Sequence, residues 1–288
     1  MLLGSFFFAG MATAAHALRS TCDWQVIALA RSALPLTAAA LFALLDGARL
    51  VLFSPRILWV RSIAGSISLV CTFYAFTRLP PAHVFTLTST FPVWLALLAW
   101  PVYDERPGLQ VWVSVFGSVL GVALMELSGS TVDIETDIWQ HGTAVASTLV
   151  ASFSTAVAML GLHRLRHLHP WAIVAHFSGV ALLFSLAAFL MAFFVSGDTA
   201  SPAPTTETSA LLLLLLVGAT ATIGQLFLTK AFTAGPPAKV AVVNLTQIVF
   251  AMIFDVCRGG HPFSPLMLTG MALVVAPTAW LMVSQTGD

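Results

Sequence analysis

The stretch AFTRLPPAHV, residues 75–84, decides the fold, because it returns 156 residues later as AFTAGPPAKV, residues 231–240. Seven of the ten positions are identical, and the same shift pairs Thr90 with Thr246 and Val93 with Val249. Each copy lies at the junction of the third and fourth apolar runs of its half of the chain. The sequence therefore predicts two related halves.

The composition sets the solvent of the fold. Hydrophobic residues make up 58% of the 288 residues and charged residues only 8%, whereas about 25% are charged in an ordinary soluble domain. So few charges cannot build a surface that faces water, so we expect the lipid bilayer to surround the protein. Twelve basic and twelve acidic residues balance, which excludes the basic field that gathers nucleic acid.

Ten apolar runs follow one another, and most are long enough to cross a hydrocarbon layer about 30 Å thick as helices. They cover residues 2–18, 25–45, 57–77, 80–102, 109–127, 142–161, 171–195, 209–233, 237–257 and 264–284. We predict an all-α polytopic membrane protein with ten transmembrane helices. Its parts are a five-helix repeat over 1–127, a polar loop over 128–140 and a second five-helix repeat over 141–284.

The odd number of helices in each half has a topological consequence. Five helices end on the opposite side of the membrane, so the second half is expected to insert upside down relative to the first. Inverted repeats are a recurrent transporter design, with the solute site near the middle of the membrane between the halves.

Lys and Arg at alternate helix ends predict the orientation, because cytoplasmic loops carry an excess of them. With a cytoplasmic amino terminus, eight lie inside and three outside; the eight are Arg49, Arg56, Arg61, Arg106, Arg164, Arg166, Lys230 and Lys239. We therefore predict a cell membrane protein with both termini cytoplasmic and the polar stretches 128–140 and 196–208 outside. The first run ends in a sequence, residues 15–17, that resembles a signal-peptidase site, but no Lys or Arg precedes it, so a retained helix is expected.

A family resemblance joins these features. The stretch FYAFTRLPPA at 73–82, Pro92-Val93 in the next helix and the sequence DERP at 104–107 resemble the EamA module of the drug/metabolite transporter superfamily. Two such modules would cover nearly the whole chain. The resemblance implies ten helices and the export or exchange of metabolites by alternating access. The second half departs from the pattern, with Ile248 opposite Pro92 and GGHP at 259–262.

Arg31 is the sharpest candidate for solute binding. It interrupts the apolar second run, where a charge costs about 3 kcal/mol on insertion scales. Its guanidinium is shaped to hold a carboxylate or phosphate. The alternatives are an arginine whose side chain reaches the outer interface and one that pairs with a structural carbonyl. Arg61 and Lys230, near cytoplasmic helix ends, are expected to be interface anchors.

Polar residues of the third, fourth, eighth and ninth runs complete the predicted substrate site. Small hydroxyl residues also serve as helix-packing contacts in membranes, but the amides are harder to explain in that way. The predicted substrate-binding residues besides Arg31 are Tyr74, Thr88, Gln225, Asn244 and Gln247. His176 is the clearest embedded histidine and is either a packing residue or a proton-sensitive gate.

The sequence features bear on three function classes. A secondary transporter of a small polar metabolite, anionic or zwitterionic, explains the repeat, the polar helices and the embedded cation together. A non-transporting membrane scaffold or receptor is the alternative. A membrane enzyme is not expected, because the sequence has neither HExxH nor GxSxG, and no cofactor is predicted. The histidines of the run 163–169 are interpreted as part of a basic loop and not as a metal site, and a homo-oligomer stays open.

Overall fold

The computed structural model describes residues 1–18, 21–48, 50–51, 53–76, 84, 87–103, 108–129, 138–196, 208–257 and 264–283. Every regular element in these ranges is an α-helix. Six helical segments of the described residues are long and apolar enough to span a membrane, one of them Pro237–Phe254, which is interrupted at Leu245, and four apolar helices are shorter. The predicted all-α membrane class and its ten apolar runs are confirmed within the described ranges.

The helix bounds agree with the predicted runs to within a few residues over most of the chain. In the fourth run, predicted over 80–102, Val84, Leu87 and Thr88 are helical, a turn follows at Ser89 and Thr90, and the next helix begins at Phe91; residues 80–83, 85 and 86 lie outside the described residues. The ninth run is two helices that meet at Leu245. In chain order the helices are α1 Leu2–Ala17, α2 Trp24–Leu45, α3 Arg56–Phe76, α4 Phe91–Tyr103, α5 Leu109–Gly129, α6 Ile138–His163, α7 Pro170–Ser196, α8 Thr208–Ala234, α9 Pro237–Asn244, α10 Thr246–Cys257 and α11 Pro265–Val283.

Several predicted features lie outside the described residues. They are the greater part of the polar stretches 128–140 and 196–208, the junction 77–83, the turn 104–107 and the stretch 258–263.

Glycine and proline define two of the helix boundaries. Gly47 takes the left-handed conformation, with φ of 64°, directly after α2. The N–H groups of Gly47 and Ala48 donate to the carbonyls of Leu44 and Ala43, the pairing that satisfies the last carbonyls of a helix. Pro237 begins α9, where a missing N–H costs nothing.

The distribution of side chains suits a lipid solvent. Large aliphatic residues such as Leu44, Leu183 and Leu212 are more than 60% exposed. Buried positions instead hold many alanines and small hydroxyl residues, including Ser62, Ser66, Ser114, Ser118, Ser152 and Thr148. Small residues let membrane helices approach closely, and the hydroxyls of Ser62, Ser66, Ser152 and Thr148 form hydrogen bonds inside the bundle.

The two halves of the chain pack mainly against each other. The principal helix pairs are α3 with α6, α5 with α11, α2 with α7 and α1 with α8, followed by α3 with α7 and α2 with α8. The approach of α5 to α11 is so close that a Cβ on Gly121 would lie 2.6 Å from the Gly270 carbonyl oxygen. The bundle interior is therefore an interface between the halves.

Candidate functional site

The fourth helix of each half is broken at the same position of the repeat. Around the first break, the Thr90 hydroxyl donates to the Leu87 carbonyl at 2.6 Å. Around the second, the Thr246 hydroxyl donates to the Val243 carbonyl at 2.7 Å. The shift of 156 relates both threonines and both acceptors. Since Pro92 and Ile248 occupy equivalent positions, the shared threonine, and not a shared proline, accompanies both breaks.

A serine from the first helix of the opposite half lies at each break. Ser152 of α6 lies 2.9 Å, hydroxyl to hydroxyl, from Thr90. Ser5 of α1 donates to the Asn244 carbonyl at the longer distance of 3.5 Å. At both breaks, a polar group of the interrupted helix thus forms a hydrogen bond with a serine of the opposite half.

A narrow cavity between the halves contains Arg31. Its walls come from α1, α2, α3, α7 and α8, and its free volume of about 10 Å³ is room for roughly one water molecule, against about 300–1000 Å³ in usual ligand pockets. The polar lining groups are Arg31, Ser32, Ser178 and Gln225, and the apolar ones include Phe8, Leu69 and Phe177. The structure therefore brings together two of the predicted site residues, Arg31 and Gln225.

Arg31 has no acidic partner in the described part of the chain. Its Nε lies 3.3 Å from the Met11 sulfur, a weak acceptor. Pro35, one turn further along α2, lines the same cavity, and since proline has no N–H it cannot bond the Arg31 carbonyl. Gln225 is 6% exposed, with its Nε2 buried and without a partner in the described residues. The Arg31 guanidinium and the Gln225 Nε2 are therefore donors that this cavity offers to an acidic group.

The prediction that Arg61 is an interface anchor is wrong. The side chain is 1% exposed and is the largest fully buried one among the described residues. Its guanidinium carbon lies 3.9 Å from the centroid of the Phe177 ring, and Phe177 also lines the Arg31 cavity. Gly65, one turn after Arg61, leaves room for the guanidinium, and this spacing was the sequence signal that could have identified a buried arginine.

His176 is packed, as the first of its two predicted roles requires. It is 7% exposed, and its Nδ1 lies 2.8 Å from the Ser62 hydroxyl. Its ring meets Trp59 edge to face, with 4.8 Å between the centroids. The role of proton-sensitive gate stays a prediction.

The other predicted residues are not among those lining the Arg31 cavity. Tyr74 is half-buried near the end of α3, and the Thr88 hydroxyl donates to the Val84 carbonyl at 2.8 Å. Asn244 and Gln247 are half-buried on either side of the break at Leu245, and the Asn244 Oδ1 is buried without a partner in the described residues. Ser5 and Met11 of α1 touch Asn244 and Arg31 respectively. Ser5 and Met11 are six positions apart in α1, so the regions around Asn244 and Arg31 lie about 9 Å apart along this helix.

Known proteins resemble the chain over most of its length. A pseudopaline exporter of Pseudomonas aeruginosa is 29% identical over 253 residues, which cover 86% of this chain and 82% of the exporter. An uncharacterized transporter of Helicobacter pylori is 23% identical over 217 residues, covering 75% of this chain and 69% of that protein. Solute carrier family 35 member G1 of Mus musculus is 26% identical over 206 residues, covering 69% of this chain and 54% of the carrier.

The fold and the family agree with these likenesses. A protein of known crystal structure superposes with a TM-score of 0.77 over 98% of both chains at 16% identity, which shows a shared fold. The model of the EamA-like transporter family matches residues 1–127 and 142–283. The relatives are transporters, so the chain is a multi-pass membrane transporter and not an enzyme. It belongs to the EamA-like transporter family.

Proposed function

We propose that the protein is a secondary transporter that exports a small anionic or zwitterionic metabolite by alternating access between two inverted five-helix repeats. The observation that carries the proposal is Arg31 in a cavity between the halves, with no carboxylate partner in the described residues. A charge inside a membrane bundle is expensive and usually marks a solute or ion path. Its guanidinium pairs with carboxylates and phosphates with two parallel hydrogen bonds.

The packing pairs support a two-fold relation between the halves. The first to fifth helices of the halves correspond as α1 to α6, α2 to α7, α3 to α8, α4 to α9–α10 and α5 to α11. The packing of α3 on α6 then has its counterpart in α8 on α1, and α3 on α7 in α8 on α2. The pairs α2–α7 and α5–α11 are their own counterparts. An exchange of this kind is expected from a two-fold axis, and the odd number of helices in each half favours an axis in the membrane plane.

The direction of transport is proposed by analogy with a relative, and the energy source is proposed by elimination. One relative is named an exporter, so export is the direction proposed here. The sequence has no GxxxxGK[ST] motif for ATP, so the solute gradient, exchange or protons would supply the energy. The cavity is smaller than a usual ligand pocket, so binding requires the halves to separate around it.

The proposed topology has both termini in the cytoplasm, from the eight-to-three bias of basic residues. Single cysteines placed in 128–140 and in 196–208 of a cysteine-free variant should react with an impermeant thiol reagent on intact cells. A cysteine placed in the basic stretch 163–169, which the same topology puts inside, is the control and should react only after permeabilisation. Reaction with the opposite pattern would reverse the topology.

Two measurements test the transport function. Extracellular and intracellular metabolites are compared between cells that lack and cells that overproduce the protein, and the metabolite that changes most is then offered to liposomes containing the purified protein. We expect flux that saturates with solute concentration and is absent from protein-free liposomes. A non-transporting scaffold or receptor would bind without flux, and this result would refute the proposal.

A further inference from the structure

Arg61 is buried inside the bundle, and two of its donor nitrogens have no acceptor among the described residues. It is 1% exposed, and its Nε and Nη1 are buried without a hydrogen-bond partner in the described residues. A buried charge that lacks an acceptor is strongly unfavourable. Its presence calls for a function that offsets this cost.

The direction of the Arg61 side chain excludes the role of an interface anchor. Arg61 is in the second turn of α3, so an anchor would extend toward the near end of the helix, at Arg56. Instead, its Nη1 lies 2.7 Å from where a Cβ on Gly65 would be. Gly65 is four residues further into the helix, about 6 Å along its axis. The guanidinium therefore points toward the middle of the membrane.

Two glycines and a phenylalanine form a socket for Arg61. A Cβ on Gly65 would also come within 2.8 Å of the Phe177 ring, and a Cβ on Gly161 would lie 3.2 Å from the Arg61 Cβ. Phe177 covers the face of the guanidinium at 3.9 Å, a favourable cation–π contact. Since stacking uses the face of the planar group, its in-plane N–H donors stay available.

Phe177 connects this socket to the Arg31 cavity. The same ring that covers Arg61 lines the cavity beside Arg31, so two positive charges share one region of the bundle. Neither arginine has an acidic partner in the described part of the chain. One acidic group can neutralise only one of the two charges.

We propose that Arg61 is a second anion-binding residue of the transport path, and that the solute carries two acidic groups, one for Arg31 and one for Arg61. The groups are carboxylates or phosphates, the anions that a guanidinium binds with two hydrogen bonds. Rotation of the Phe177 side chain joins the socket to the cavity. The inference rests on the proposed function, since it names the solute class of the same path.

The test compares anions of one and two charges on the purified full-length protein. Melting temperatures are measured with succinate, glutarate or adipate and with butyrate, at matched ionic strength, because a ligand of the folded state raises the melting temperature. We expect at least one dicarboxylate to bind about tenfold more tightly than butyrate. Arg61→Gln and Gly65→Ala should abolish this preference, and Arg56→Gln, an exposed arginine of the same helix, should keep it.

A second variant separates a ligand role from a structural one. Arg61→Met removes the buried charge and keeps apolar bulk, so without anions it should melt no lower than the wild type. A clearly lower melting temperature would assign Arg61 to the structure and overturn the inference, as would equal binding of dicarboxylates and butyrate. If Arg31→Gln abolishes all anion binding and Arg61→Gln changes nothing, the Arg31 site stands and only the role of Arg61 is wrong. If no anion stabilises the wild type, both arginine sites are refuted, and flux in liposomes still decides whether the protein transports.

Discussion

The two halves share a helix order but bring different chemistry to their interface. In the first half, α2 carries Arg31 and α3 carries Arg61, whereas the corresponding α7 has no Asp, Glu, Lys or Arg and α8 has Gln225 at the cavity. At the repeat-related positions 88 and 244, the first half has a threonine bonded within its own helix, and the second half has an asparagine whose buried oxygen has no partner among the described residues. At the Arg31 cavity and the helix breaks, the first half thus supplies positive charge and the second half supplies neutral amides. Two related halves in one chain can diverge in this way because each needs to keep only its packing.

The largest effect is expected from removing the charge of the first half. Arg31→Gln should weaken binding of the transported solute by about 1.5–3 kcal/mol, because it replaces a charge-assisted hydrogen bond with a neutral one. Concentration dependence of flux in liposomes measures this change, with Arg56→Gln as the matched control. Normal insertion with unchanged apparent affinity would show that Arg31 is an interface residue and would remove the contrast between the halves.

The helix breaks offer a comparison of stability between equivalent threonines. Thr90→Val should lower the free energy of unfolding by about 1–2 kcal/mol, since Thr90 bonds both the Leu87 carbonyl and Ser152. Thr246→Val should lower it by about 0.5–1 kcal/mol, because Thr246 bonds only the Val243 carbonyl among the contacts of the described residues. Denaturation in detergent measures both. Equal losses would mean that Ser152 adds nothing at the first break.

The amides of the second half should have smaller effects on binding than Arg31. Asn244→Ala and Gln225→Leu should each weaken solute binding by about 0.5–1.5 kcal/mol, the usual value of a neutral hydrogen bond. Neither should lower stability, since each removes a buried polar atom that has no partner in the described residues. An effect of Gln225→Leu alone would confine the solute to the Arg31 cavity, whereas effects of both would extend it to the break at Leu245.

The smallest effect is expected at His176. His176→Gln should leave the pH dependence of flux between about pH 6 and 8 unchanged, because the imidazole packs against Trp59 and Ser62 and glutamine can still bond the serine. Flux into liposomes over this pH range, with a fixed solute gradient, checks this. A flattened pH profile would assign His176 to proton coupling and place a titrating group of the second half inside the bundle.

The sequence by itself determined the solvent, the helices and the family. A chain with 8% charged residues must face lipid, and spanning segments must be helical because lipid offers no partner to free backbone groups. Helix bounds such as 170–196 against a predicted 171–195 follow directly. The internal match of 75–84 to 231–240 and the EamA-like residues depend only on the order of residues. Arg31 could be singled out because a charge in an apolar run is visible without coordinates.

Only the tertiary structure decided which polar groups meet. Arg61 looked like an anchor because its distance from the helix end suits one, and the socket formed by Gly65, Gly161 and Phe177 depends on how α3, α6 and α7 pack. Gln225 and Arg31 are 194 residues apart, and the sequence does not say that they share a cavity about 9 Å along α1 from Asn244. Helix formation is local, whereas the rotation of each helix about its axis is set by contacts between the halves. That rotation decides whether a polar side chain faces lipid, a neighbouring helix or the solute.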